Sequence, residues 1–383
     1  MSEYQYYEFQ AVDRPLTEHE MEKLRSVSSR ATITATRFTN HYEWGDFKGD
    51  PSLWMERYFD AFLYVANWGT HELSLRLPRR LLDLKTAKRY CFRREASARC
   101  SGDFVILEFL SQEEGGDDEW DDGSGWLSSL IPLRDDLAGG DHRALYLAWL
   151  LVVQTRELKD GATEPPVPAG LGALTATLRA LADFLRIDDD LLTVAAQRSP
   201  KLDATLPEQG IEEWIAALPE RTKTDWLVRL AGGGEAHLRA ELLRGFRESP
   251  RPVHPPRNGG GAPRTVGELL EGAERLSEER RRKAAKRAAA ELTRRERREA
   301  EARERYLTDL ARREIQTWGE VDALIATKQT GKYDQAVKLL CDLRDLGLRQ
   351  GRADEVQTRL RRLCEEHARK PGFLYRLRGA GLA

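Results

Sequence analysis

The segment opening at Thr265 constrains this chain more than any other. Thr265 and Glu268 have the spacing of a capping box, in which the hydroxyl accepts from the backbone N–H three residues on and the carboxylate accepts from the capping residue's own N–H. Neither a proline nor a strong break follows before Gly319. At ~1.5 Å per residue such a helix spans roughly 75–80 Å. Only its ends carry apolar stripes: Val266, Leu269, Leu270, Ala273 and Leu276, then Leu307, Leu310 and Ile315. Over 277–305 the apolar residues are alanines and Leu292, so no face there can build a core. Glutamates instead precede basic residues by four positions, at Glu278/Arg282, Glu279/Lys283, Glu291/Arg295, Glu299/Arg303 and Glu301/Arg305. Pairs in that order contribute ~0.2–0.5 kcal/mol each, and alanine, arginine and glutamate are strong helix formers. A solvated single helix is expected over 265–318, with folded parts on either side.

What precedes it alternates between strand and helix signals. Residues 4–12 are aromatic-rich and extended in character. Thr17 and Glu20 form another capping box, opening a helix to about Val27. Residues 31–40, rich in threonine and β-branched side chains, suit a strand. Asp50-Pro51 places a cap before a first-turn proline, and Trp54, Tyr58, Phe62 and Val65 follow at helical spacing. Residues 72–77 alternate, with Leu73, Leu75 and Leu77 on one face, and Ser101-Gly102 predicts a hairpin turn between 96–100 and 104–110. This interleaving predicts an α+β chain whose head, 1–112, is a ferredoxin-like α/β sandwich. After an acidic segment at 113–125 the pattern is helical at 126–137, 143–155, 171–185, 191–196, 211–218 and 224–230, a mainly helical domain over 126–246. Residues 161–168 hold three prolines and read as a link within it. Residues 247–264, with five prolines and three glycines at 259–261, make the strongest domain boundary. Beyond the charged helix, a tail at 319–383 is expected to form a helical hairpin from 333–346 and 353–367, broken at 347–351, with a turn-rich end after Lys370-Pro371.

With 383 residues the chain exceeds a single ordinary core. Its 61 basic and 63 acidic residues leave a net charge of −2, so any electrostatic function is local. The strongest local feature lies at 280–298, where ten basic residues meet two acidic ones, Glu291 and Glu296. Arg280, Arg281, Lys283, Lys286, Arg287, Arg294, Arg295 and Arg298 are candidates for contact with a nucleic-acid backbone through counterion release. The competing reading is a spacer helix held by its own ion pairs. No aromatic interrupts the run, which argues against stacking on single strands. A second candidate is the loop around Trp44, Asp46, Phe47 and Lys48, where aromatic and charged side chains sit between Gly45 and Gly49. The competing reading there is plain turn chemistry, since Asp50 already serves as a helix cap.

No catalytic set emerges. Phosphate-binding, dinucleotide, G-x-S-x-G and H-E-x-x-H patterns are all absent from the sequence. The acidic run 117–122 lacks the alternation of a calcium loop. Cys91, Cys100, Cys341 and Cys364 have no zinc-ligand spacing and read as buried free thiols of a reducing compartment. No cofactor or metal is implied. The N-terminus has no signal-peptide pattern, and the longest apolar stretch, 145–153, is half of a membrane span, so a cytoplasmic, non-membrane protein is expected.

The runs Tyr7-Glu8-Phe9-Gln10-Ala11-Val12-Asp13-Arg14-Pro15-Leu16-Thr17 and Gly45-Asp46-Phe47-Lys48-Gly49-Asp50-Pro51 resemble an uncharacterised bacterial protein family, to which no activity attaches. The last ~50 residues, with His367-Ala368-Arg369-Lys370-Pro371 and 377–382, resemble the helical end of some SWIM zinc-finger proteins. The cysteine–histidine motif of those proteins is missing here, so the resemblance implies a helical docking tail and no zinc. These readings point to a non-catalytic adaptor whose main partner is another protein, with nucleic-acid binding through the basic helix as the alternative.

Overall fold

A computed structural model of the chain describes residues 3–112, 122–201, 208–232, 238, 241–242, 245–246 and 263–382. The acidic run 117–121 and the glycines at 259–261 lie outside the described residues. The chain divides into two units, Met1–Glu279 and Arg280–Ala383.

The first unit is built on seven strands, β1 Gln5–Gln10, β2 Thr32–Ile33, β3 Arg37–Tyr42, β4 Ala61–Ala66, β5 Thr70–Pro78, β6 Ala96–Ser101 and β7 Phe104–Gln112. They form one sheet in the order β2-β3-β1-β4-β5-β7-β6, with every neighbouring pair antiparallel. The α+β class expected from the sequence is the class found. The ferredoxin-like sandwich is elaborated into a wide sheet covered on both faces. On one face Tyr7, Phe9, Phe38, Phe62 and Ile106 meet α1 (Glu18–Val27) and α2 (Pro51–Arg57) through Leu24, Trp54 and Met55. On the other, Leu63, Leu73, Leu75, Leu77, Leu107 and Phe109 share a core with the helices that follow.

Local chemistry explains the boundaries. Glu20 N–H donates to the Thr17 hydroxyl and Thr17 N–H to the Glu20 carboxylate, the reciprocal capping box. Leu53 N–H donates to Asp50 at 3.0 Å ahead of the first-turn proline. That helix stops at Tyr58, however, and Phe62 and Val65 belong to β4. Three residues apart in a strand, they face opposite sides of the sheet. The expected strand 31–40 is a hairpin instead, turning where Thr34 N–H donates to Arg37 O. Between β6 and β7, Gly102 takes φ +56° in the two-residue turn.

The helical layer comprises α3 (Leu84–Ala87), α4 (Trp126–Leu130), α5 (Leu133–Ala138), α6 (Arg143–Gln154), α7 (Ala176–Phe184) and α8 (Asp189–Ala196). Every residue from Arg143 to Val153 in α6 is buried, the mark of a central helix apolar all round. A head at 1–112 and a helical domain from 126 were expected as separate bodies. Their apolar side chains form one continuous core, because this sheet face has no other cover. The helices α9 (Glu208–Ala217) and α10 (Glu220–Ala231) follow.

The long helix α11 runs Val266–Arg312, and its first turns belong to the first unit. Val266 and Leu269 are buried in the core, and a Cβ on Gly272 would come within 2.9 Å of Val194. In the second unit α11 is followed by α12 (Glu314–Ala326), α13 (Thr330–Arg349), α14 (Ala353–Glu366) and α15 (Pro371–Gly379). The expected single helix to 318 therefore breaks at Arg313, whose φ of −117° leaves the helical range, and Gly319 sits inside α12. The hairpin is longer than expected, since Gly347 stays helical. A side chain there would clash with Val356 at 2.5 Å, so glycine permits close packing and does not end the helix. The turn-rich end is a helix begun by Pro371 at its first position.

Candidate functional site

The loop from Glu43 to Asp50 is held on the sheet by Phe47 and by Gln5 of β1. Phe47 lies 4.9 Å from Tyr7 and 4.9 Å, edge-on, from Trp54. Gly49 makes room for it, because a Cβ there would stand 2.5 Å from the Phe47 ring. Gln5 Nε2 donates to Gly45 O at 3.2 Å and to Asp46 Oδ1 at 3.4 Å. Of the four candidates from the sequence, Phe47 is thus an anchor and Asp46 is tied to Gln5. Trp44, 78% exposed, and Lys48 project into solvent. An indole of that size left in water is a ready contact for another protein.

Beside this loop the sheet face turns polar. Gln5 Oε1 accepts from Tyr7 OH at 2.7 Å and from Tyr64 OH at 3.1 Å. Burial pushes Tyr64 up to about 12. Glu72, opposite Tyr64 on β5, is pushed up to about 7, first by burial and then by the charge of Glu108. Arg99 neutralises the far side, donating to Glu56 at 2.5 Å, to Ser52 at 2.7 Å and to Glu108 at 3.2 Å. Sequence reading passed over Glu72 because its neighbours read as an ordinary alternating strand.

On α11 all eight basic candidates are exposed, as is every residue from 278 to 302. Over 295–303 the ion pairs differ from those expected by spacing. Arg295 donates to Glu299 at 2.8 Å and Arg297 to Glu301 at 3.0 Å. Arg303 turns away from Glu299 to Asp342 at 2.5 Å and Asp345 at 2.7 Å. The half-buried carboxylates outcompete a solvated one, and those bonds raise the Arg303 pKa.

The second unit presents a groove of about 680 Å³ lined by Tyr306, Ala323, Leu324 and Leu339 together with the charged Glu320, Lys332, Lys338 and Asp342. Tyr306 is oriented by donating to Asp342 at 2.7 Å. Lys370 donates to Ile325 O at 3.0 Å, capping the end of α12. Arg359 lies 4.1 Å above the Trp318 ring.

Several buried polar groups hold the fold together. Asp60, fully buried, accepts from Arg76 at 2.7 Å and from Val12 and Asp13 N–H at 2.7 and 2.9 Å. Arg134 joins this knot, donating to Arg76 O and Asp13 at 3.0 Å each, and so pins α5 to the sheet. Arg264 donates to Glu164 at 2.7 and 2.9 Å and to the carbonyls of Val194 and Ala195, while Tyr146 donates to the same carboxylate. His71 is buried against Phe184, with its Nδ1 2.8 Å from the Phe184 carbonyl. All four cysteines are free. Only Cys91 is fully buried, with its thiol pKa driven up, whereas Cys100 is exposed at the sheet edge, contrary to the expectation of buried thiols. Among the described residues no group of three His, Cys, Asp or Glu side chains is placed to hold a metal ion, and no helix is long and apolar enough to cross a membrane. Comparison with protein-family models, curated proteins and solved structures finds no match for this chain.

Proposed function

We propose that the protein is a non-catalytic adaptor, a scaffold subunit of a multi-component assembly, whose first and second units bind different proteins. The division of the chain into two units with separate cores carries this reading. One unit offers Trp44 and Lys48 on a loop fixed by Phe47, and the other a groove lined by apolar side chains and by charges of both signs. Each is a surface made for contact. Four unpaired cysteines favour a reducing, cytoplasmic setting.

Tagged full-length protein, purified from its native host, tests the reading. Trp44→Ala with Lys48→Glu is expected to remove one companion protein, and Lys338→Glu with Leu339→Arg to remove a different one. Loss of the same companion in both variants, or of none in either, overturns it.

A further inference from the structure

The ten basic residues of 280–298 are not spread evenly around α11. At ~100° per residue, the positions 280, 283, 286, 287, 290, 294, 297 and 298 fall within an arc of roughly 120°. Seven of these eight are basic, Arg280, Lys283, Lys286, Arg287, Arg294, Arg297 and Arg298, and the eighth is Ala290. The other eleven positions hold only three basic residues, Arg281, Arg282 and Arg295, together with both acids and most of the alanines. Arg295 is also committed to Glu299. A helix needing ion pairs merely to stay folded would intersperse its signs. This one sorts them, and the sorted stretch is exposed throughout.

We propose that this face of α11 binds double-stranded DNA through its phosphate backbone, without reading sequence. The stripe is ~27 Å long, and a duplex presents about sixteen phosphate charges over that length, ample for seven cations. Five of the seven are arginines, whose planar fork suits phosphate oxygens. The exposed Arg297–Glu301 pair is worth under ~1 kcal/mol and yields to a phosphate. Other polyanions fit less well. A lipid surface requires an apolar face opposite the basic one, and this helix offers alanines and Leu292. A single strand requires aromatic platforms, which the stripe lacks. An RNA duplex is recognised largely through 2′-hydroxyls, and the stripe has no hydroxyl or amide to meet them. The proposal does not rest on the adaptor reading, and each can fail alone.

Fluorescence anisotropy of full-length protein with a labelled 20-base-pair DNA duplex, titrated across salt concentrations, supplies the test. Binding is expected at low salt and should weaken steeply as salt rises. Replacing Lys286, Arg287 and Arg294 by Gln should weaken it by at least about thirtyfold near 100 mM salt and flatten the log–log salt slope by ~2–3. Replacing Arg281, Arg282 and Arg295 by Gln removes the same charge from the other faces and should cost less than about threefold. Circular dichroism checks that both variants keep their helix, as glutamine's propensity allows. Equal losses in the two variants would overturn the one-sided stripe. So would no binding by wild type at 50 mM salt, or tighter binding to duplex RNA, single-stranded DNA, phosphatidylserine vesicles or polyglutamate than to duplex DNA.

Discussion

Glu72 shows what a half-buried carboxylate beside a like charge does to a fold. Its folded pKa of about 7 lies above that of an unfolded glutamate. Between pH ~4 and ~7 the unfolded chain therefore releases a proton that the folded protein keeps, so stability falls as pH rises through this window. Glu72→Gln should be close to neutral at pH 4.5 and stabilising by ~3 kcal/mol at pH 8. Urea unfolding of both proteins at the two pH values decides it, and an equal difference at both would mean that charge is not the cause. Phe47 behaves differently from its loop neighbours for an equally local reason. It reaches an aromatic pocket that only Gly49 leaves open, while Trp44 has no such pocket and stays in water.

At the level of elements, α11 depends on its own sequence between 278 and 302, where no residue is covered. A peptide of 277–305 should accordingly be substantially helical in low salt at pH 7 and lose helicity as its glutamates are protonated, with circular dichroism as the measurement. A coil spectrum at pH 7 would show that the flanking units impose the helix. This element was readable in advance because propensity, charge spacing and absent breakers agree. The capping boxes at Thr17 and Thr265 and the 102–103 hairpin were legible for the same reason, each being decided within four residues. Phe62 and Val65 were not, because β4 is specified by its pairing with β1, far earlier in the chain, as well as with β5 beside it. The candidate surfaces divided likewise. The basic run and the Trp44 loop are contiguous in sequence, whereas the tail groove joins Tyr306, Leu324 and Leu339 across three helices.

For the whole molecule, separate cores imply separate cooperative units. Calorimetry on the full chain should resolve two transitions. Leu340→Ala, in the core of the second unit, should lower one of them by the ~2–5 kcal/mol typical of such cavities and leave the other in place. Leu147→Ala should do the reverse, and a single transition shifted by both would refute the division. The root of α11 bears on how the protein responds to load. Arg264 grips Glu164 and two carbonyls of α8, Val266 N–H donates to Ala162 O and Gly267 N–H to Asp160 O, all at 2.7–3.2 Å. A pull along the helix would strain these bonds in parallel, so that they would have to yield together before the helix came away. A sideways push would meet Val194 packed against Gly272. The first turns of α11 are therefore built like a socket that seats the root of the helix in the core beneath the sheet.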